Sequence, residues 1–367
     1  MNIEAIKDAV KQLPLPFIAL PLGHILSKCN IFEHKDVITI QLSLGFYIQG
    51  VKKANLITQW TEILNKQFLQ ESKLFELKFE IISNIASHKN QLVKASHQKI
   101  KNIILIASGK GGVGKSTITA NLALALKAQG AQVGVLDADI YGPSQPQIMG
   151  NYDAPEMVAE RQFTPLTSHG ISMISIGNLV NIDAAMIWRG PMVSQALRQL
   201  LNDTKWPQLD YLLVDLPPGT GDIQLTIAKD VPVSGGLVIT TPQDLSLLDA
   251  RRAIAMFQKV GISVLGVIEN MSTFICPNCG HEQAIFGHDG GQRLSLNTEV
   301  PLLGKIPLTI DIRNDADRGC PTVIASPESD ISQCYYNIAL ASSAYLSLRP
   351  KNHNQNMPKV KVELSKE

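Results

Sequence analysis

No apolar run in this sequence reaches the ~20 residues that a membrane-spanning helix needs. The stretch nearest to a leader, Leu13 to Leu26, is interrupted by Pro14, Pro16 and Pro21, with no small-residue cleavage site behind it. A cytoplasmic location is therefore the expectation, with no membrane partner. Charge of one sign is missing too. The 33 Lys and Arg are balanced by 32 Asp and Glu, so there is no basic excess of the kind that marks a nucleic-acid partner. Cysteine is scarce. Five in a chain of 367 residues, an odd number, argue against a disulfide framework and for metal or thiol chemistry. What the sequence has in quantity is core: 45% of its residues are hydrophobic, enough for one large domain and a smaller one.

Residues 1–90 read as the smaller unit. A helix-like opening (Ile3 to Leu13) precedes an alternating run from Val37 to Leu42, an amphipathic stretch from Ala54 to Leu69 and a second alternating run from Phe75 to Ile81. That is the pattern of a small α+β domain. Residues 91–101 lie in a polar, basic stretch and read as a linker, and 350–367 as a polar tail. Between them, 102–349 alternate apolar strand candidates with helix-like stretches. The strand candidates are Ile103–Ala107, Val133–Leu136, Ile171–Ile176, Leu212–Val214, Leu237–Thr240, Val264–Ile268 and Leu302–Ile306. Continuous apolar strands separated by helices predict an α/β fold with a buried, mainly parallel sheet flanked by helices. Ligands of such sheets lie beyond the strands' carboxyl ends.

The first of these strands runs into Ser108-Gly109-Lys110-Gly111-Gly112-Val113-Gly114-Lys115-Ser116-Thr117. Gly109, Gly114, Lys115 and Ser116 satisfy G-x-x-x-x-G-K-[ST], a loop whose backbone N–H groups cradle phosphates at a helix N-terminus. Glycines at 109, 111, 112 and 114 let that backbone take positive φ and approach an anion closely. Lys115 is expected on the β- and γ-phosphates, Ser116 on Mg²⁺ and Thr117 beside the α-phosphate. A second lysine, Lys110, is directed outward by the loop. Its expected use is across a dimer interface, on nucleotide held by the other subunit, as arginine fingers are used.

Carboxylates close two further strands. Asp137 and Asp139, one residue apart, share a face while the chain stays extended. Asp139 is expected to orient or deprotonate the attacking water, with Asp137 near the outer shell of the metal. Asp215 ends an apolar strand as a Walker-B metal ligand does. The following Leu216-Pro217-Pro218-Gly219-Thr220-Gly221-Asp222 reads as a switch loop in which Gly219 offers an N–H to the γ-phosphate. Asn270 is placed just past a strand, to bond an adenine edge, and Thr241-Pro242-Gln243-Asp244 as a wall for the base.

Ile275-Cys276-Pro277-Asn278-Cys279-Gly280-His281 is a metal-binding knuckle supplying two thiolates. Tetrahedral metals and [4Fe–4S] clusters want four ligands, and the sequence has no second C-x-x-C; Cys320 and Cys334 stand apart. Symmetry gives the simplest completion, with Cys276 and Cys279 of two subunits sharing one site. His281 as a third ligand and a metal-free redox dithiol are the alternatives. The spacing alone does not choose zinc or iron–sulfur. A nucleotide switch in the same chain favours a labile cluster whose loading or release it controls.

With these motifs in place, the chain resembles the Mrp/ApbC family of iron–sulfur cluster carrier ATPases, which use a deviant P-loop. The resemblance rests on Ser108–Thr117, Asp137–Ser144, Trp188-Arg189-Gly190-Pro191, Asp215–Asp222, Thr241–Asp244, Glu269-Asn270-Met271 and Cys276–His281. It implies a P-loop NTPase fold and a homodimer that binds ATP with Mg²⁺ and hydrolyses it slowly. The same resemblance implies a [4Fe–4S] cluster at the dimer interface, passed to apo iron–sulfur proteins, and a cluster-assembly scaffold as a further partner. Residues 1–90 look like a degenerate form of the small iron–sulfur-assembly domain often fused there, lacking its acidic–proline motif. A partition- or division-type nucleotide switch with a structural zinc, and an iron–sulfur ATP-dependent reductase, are the rival readings.

Overall fold

The computed structural model describes residues 3–68, 76–92, 97–158, 162–179 and 190–352; Trp188 and Arg189 fall outside these. The small unit comprises α1 (Ile3–Lys11), β1 (Leu26–His34), β2 (Val37–Leu44), α2 (Gly50–Phe68) and β3 (Glu76–Ser83). Its sheet has the order β1-β2-β3, with β2 antiparallel to β1 and parallel to β3. Alternation in β2 sends Ile38, Ile40, Leu42 and Leu44 inward, where Val10 of α1 and Leu56, Trp60 and Leu64 of α2 cover them. Trp60 keeps its one polar atom satisfied by donating from Nε1 to Pro14 O at 2.8 Å.

The large unit runs β4 (Ile100–Ser108), α3 (Lys115–Ala128), β5 (Val133–Asp137), α4 (Gln145–Ile148), β6 (Met157–Val158), β7 (Gln162–Phe163), β8 (Leu166–Ser168), β9 (Ile171–Ser175), α5 (Gly190–Asp203) and β10 (Leu209–Asp215). It continues through α6 (Asp222–Asp230), β11 (Gly235–Thr240), α7 (Asp244–Lys259), β12 (Val264–Ile275), β13 (Glu282–Gln283), α8 (Gly290–Thr298), β14 (Leu302–Leu308), α9 (Ile310–Asp317), α10 (Thr322–Ala325) and α11 (Asp330–Ser347). Among the described residues, nine strands form one sheet of order β13-β12-β11-β4-β10-β5-β9-β8, with β14 also on β12. Only β8 and β13 run antiparallel to their neighbours.

The strands are apolar on both sides because helices cover both faces. Ile104 and Ile106 of β4 face α3 and α11, packing with Ile118, Leu122 and Ile338. Ile103, Leu105 and Ala107 face the opposite way, toward Leu197 of α5, Ile227 of α6 and Phe257 of α7. Each fully buried side chain of this kind contributes about 1.5–3 kcal/mol.

The two units share core. Leu340 and Ala344 of α11, both fully buried, belong to the cluster under the small sheet. Gln49 N–H donates to Gln129 Oε1 at 3.1 Å, and Lys52 Nζ to Asn337 Oδ1 at 2.7 Å. The stretch expected as a linker carries anchors of its own. Gln91 Nε2 donates to Ala228 O and Val231 O, both at 2.6 Å, and its Oε1 accepts from Val233 N–H at 2.9 Å. Lys351, in the expected tail, bridges to His88. Among the described residues no helix is long and apolar enough to cross a membrane.

Candidate functional site

The strand order brings the carboxyl ends of β5, β10 and β4 side by side, and register puts Asp215 level with Asp137 and Ile106. The phosphate-loop residues 109–114 leave β4 there and enter α3 with Gly114 at φ 80° and Gly112 at φ 78°. Both lie in the left-handed region that glycine alone tolerates freely. Gly109 is needed for another reason: a Cβ on it would overlap the main chain of Asp249 in α7.

Lys115 is buried with its Nζ 2.5 Å from Asp215 Oδ1 and 3.8 Å from Asp139 Oδ2. It also donates to Ser116 Oγ at 3.3 Å. Asp215 accepts two more bonds, from Thr119 Oγ1 at 3.3 Å and from Gln145 Nε2 at 2.9 Å. Asp137 accepts from Asp139 N–H and Gln145 N–H, each at 3.1 Å, and from Ser175 Oγ at 2.9 Å. Burial, and then the Asp215 charge, push the Asp137 carboxyl up to about 7. Burial likewise raises Asp139, against the pull of Lys115. Asp139 Oδ1 and Gln145 Oε1 are buried acceptors to which no protein group donates. Such atoms call for a donor from a ligand or water.

Two of the expected donors have partners within the chain. Gly219 N–H, assigned to the γ-phosphate, donates to Ser108 O at 2.9 Å, because Gln224 Nε2 in α6 holds the carbonyls of Pro217 and Pro218 at 3.3 and 2.7 Å. Lys110 Nζ lies on Gln243 Oε1 of its own chain at 3.3 Å. Gly114, Thr117, Asn270, Met271, Thr309 and Arg313 line a cavity of about 420 Å³, and none of Thr241–Asp244 does. Pro242 packs instead over Gly290 at the start of α8.

Asn270 itself lies within β12, not beyond it. Its Nδ2 donates to Val113 O at 2.8 Å, stitching β12 to the phosphate loop. Met271 follows at φ 54°, and pairing with β14 shifts register between Asn270 and Phe274. The strand then recovers and carries straight into the cysteine knuckle.

That knuckle is a closed hairpin. Phe274 and Ile275 pair with Gln283 and Glu282 of β13. Inside it, Cys276 N–H donates to His281 O at 3.0 Å and Gly280 N–H to Cys276 O at 2.9 Å, with Gly280 at φ 70°. Hydrogen bonds from the Asn278 and Cys279 N–H groups and the Cys279 thiol hold the Cys276 thiol below its usual range, which favours the thiolate a metal binds. Both thiols are free, and Cys279 is exposed. Among the described residues no third His, Cys, Asp or Glu, His281 included, is gathered with the pair into a metal-binding group.

Residues 99–342 match the family model described as the NUBPL iron-transfer P-loop NTPase within the ParA group. The chain belongs to this family. It is 51% identical over 348 residues to the Escherichia coli K12 iron-sulfur cluster carrier protein, covering 94% of this chain and 93% of that one. The iron-sulfur cluster carrier protein of Haemophilus influenzae is 47% identical over 336 residues, 91% of this chain and 89% of its own. Among solved structures, the nucleotide-binding protein of Archaeoglobus fulgidus in complex with ADP is 36% identical, with a TM-score of 0.57. It covers 66% of this chain and 95% of that one. The chain is thus a nucleotide-binding P-loop NTPase among iron–sulfur carriers, and its fold is the one the apolar strand pattern predicts. Gln145, bonded to Ser116, Asp137 and Asp215 together, is the site residue that sequence reasoning missed.

Proposed function

We propose that the chain is an ATP-hydrolysing carrier of a [4Fe–4S] cluster, which two subunits hold between them on Cys276 and Cys279 and pass to apo iron–sulfur proteins. The observation that carries this reading is the path of β12. One strand touches the phosphate loop at Asn270 and ends in the thiol hairpin at Cys276. Nucleotide state and cluster state therefore bear on the same element. The two thiols of one hairpin are half a ligand set, and a second copy supplies the other half.

The nucleotide side fits the same reading. The cavity beside Gly114 and Thr117, at about 420 Å³, is within the size range of small-molecule sites. Mg²⁺, when bound, neutralises charge on the β- and γ-phosphates, and Ser116 Oγ with Asp215 would hold it. Lys115, now on Asp215, turns to the phosphates as nucleotide enters. Asp139 Oδ1, a buried acceptor with raised basicity and no donor, takes the proton of the attacking water. Gly219 exchanges Ser108 O for the γ-phosphate and Lys110 leaves Gln243 for the partner's nucleotide. These two exchanges are the switch. Residues 1–90 belong to the same reading as a degenerate iron–sulfur-assembly domain docked on α11, with a cluster-assembly scaffold as its partner.

Anaerobic reconstitution with iron and sulfide tests the reading. A brown dimer with about four irons per pair of chains, absorbing broadly near ~400 nm, is the expected product. A colourless dimer holding about one zinc overturns it and makes the knuckle structural.

A further inference from the structure

Gln145 stands at a junction that none of the recognised motifs includes. It is fully buried. Its backbone N–H donates to Asp137 Oδ2 at 3.1 Å and closes the base of the loop that carries Asp139. Its side-chain Nε2 donates to Ser116 O at 3.0 Å, at the start of α3, and to Asp215 Oδ2 at 2.9 Å. One residue is therefore bonded to the main chain of Ser116, to the Asp215 carboxylate and to the loop expected to handle the attacking water.

The amide orientation is not free. Two acceptors on one side, Ser116 O and Asp215 Oδ2, require the NH₂ to face them, since an oxygen there would meet only other oxygens. This fixes Oε1 on the opposite side, where it is buried and receives no hydrogen bond from the protein. An amide oxygen buried this deeply without a donor carries an unmet desolvation cost. A ligand-state donor recovers that cost. Asp139 Oδ1 is a second buried acceptor in the same state, in the loop that Gln145 closes.

Resting on the ATP-hydrolysing reading, we propose that Gln145 is a positioning residue for phosphoryl transfer. Its NH₂ holds Asp215 and the start of α3 in register with the Asp139 loop, and its Oε1 accepts a hydrogen bond from a water in the Mg²⁺ shell. Gln145 touches no reacting atom. It sets the distance between the metal side and the water side of the site, and in-line phosphoryl transfer is sensitive to that distance.

The test uses the full-length chain with Gln145→Met, which keeps length and volume without the amide, and Gln145→Asn, which keeps the amide but is too short to span both acceptors. Single-turnover ATP hydrolysis is expected to fall about 10–100-fold in each, with the KM for ATP within about threefold of wild type. Independently of turnover, Mn²⁺ is titrated into the ADP complex and followed by the free-ion electron paramagnetic resonance signal. Its dissociation constant is expected to rise at least about fivefold in Gln145→Met. Hydrolysis and Mn²⁺ affinity both within about twofold of wild type would overturn the proposal. So would losses in kcat, ATP affinity and thermal midpoint that move together, since a packing role does that. Should Gln145→Met not fold, the same two readouts on Gln145→Asn decide. Absence of Mg²⁺-dependent hydrolysis in the wild type would refute the ATPase reading instead, and so separates the two.

Discussion

Replacing Asp137 by Asn probes the buried charge arrangement directly. The site holds three carboxylates, Asp137, Asp139 and Asp215, against the single buried ammonium of Lys115. Asp137 bears the consequence, its carboxyl rising from 3.8 to about 7. The folded state then keeps a proton that the unfolded chain releases between about pH 4 and pH 7, so stability falls as pH rises through that window. At about 1.4 kcal/mol per unit, the loss above pH 7 is at most roughly 4 kcal/mol. Asn at this position cannot ionise. It retains an oxygen for Ser175 Oγ and Gln145 N–H, which bond to the same Oδ2. It forfeits the acceptor for Asp139 N–H, worth about 1 kcal/mol. Asp137→Asn should therefore be about 2–3 kcal/mol more stable than wild type at about pH 8, and equal or about 1 kcal/mol less stable at about pH 4. Urea unfolding of nucleotide-free protein at several pH values measures this, read as the difference between the two proteins so that all other titrating groups cancel. Stability curves that run parallel across the range would refute the reasoning, because Asp137 would then titrate alike folded and unfolded.

Lys115→Ala leaves those carboxylates without their cation. It should cost about 3–5 kcal/mol in urea unfolding, abolish ATP-dependent delivery of cluster to an apo-protein and still allow iron to bind; undiminished delivery would break the link between nucleotide and cluster. Cys276→Ala or Cys279→Ala should lose iron and sulfide outright while binding ATP normally, and full iron in either variant would contradict a site of four shared thiolates. Lys110→Ala should slow hydrolysis by about tenfold or more with nucleotide affinity within about threefold; an unchanged turnover number would leave Lys110 as no more than the partner of Gln243.

The large sheet was legible because its strands are buried on both faces, and continuous apolar runs such as Ile103–Ala107 have few other readings. Edges were not. Strand β1 packs only part of one face and mixes Ser27, Lys28 and Asn30 into its length, so periodicity gives it no signal and its approach resembled a broken leader. In the site, local motif names the residues that the fold gathers at the strand ends: the 109–117 loop, Asp137, Asp139 and Asp215. Long-range partners it does not name. The pairing of Gln145 with Asp215 joins positions 70 apart in the chain, and nothing in Ser144-Gln145-Pro146 announces it. Asn270 reads as past its strand because the polar Glu269, Asn270, Ser272 and Thr273 break the apolar pattern, whereas the strand continues through a left-handed Met271 to Ile275.

The sharing of Leu340 and Ala344 between the two units bears on how the chain is made. The first sheet to leave the ribosome lacks part of its own floor, which arrives only with the last long helix; Lys52 and Asn337, which pin the joint, are 285 positions apart. The N-terminal unit must therefore wait, with Ile38, Ile40 and Leu42 incompletely covered, until synthesis is nearly over. A chain stopped before α11 would lose more than its tail. It would leave the opposite terminus unfinished, exposing an apolar face where chaperones and proteases act.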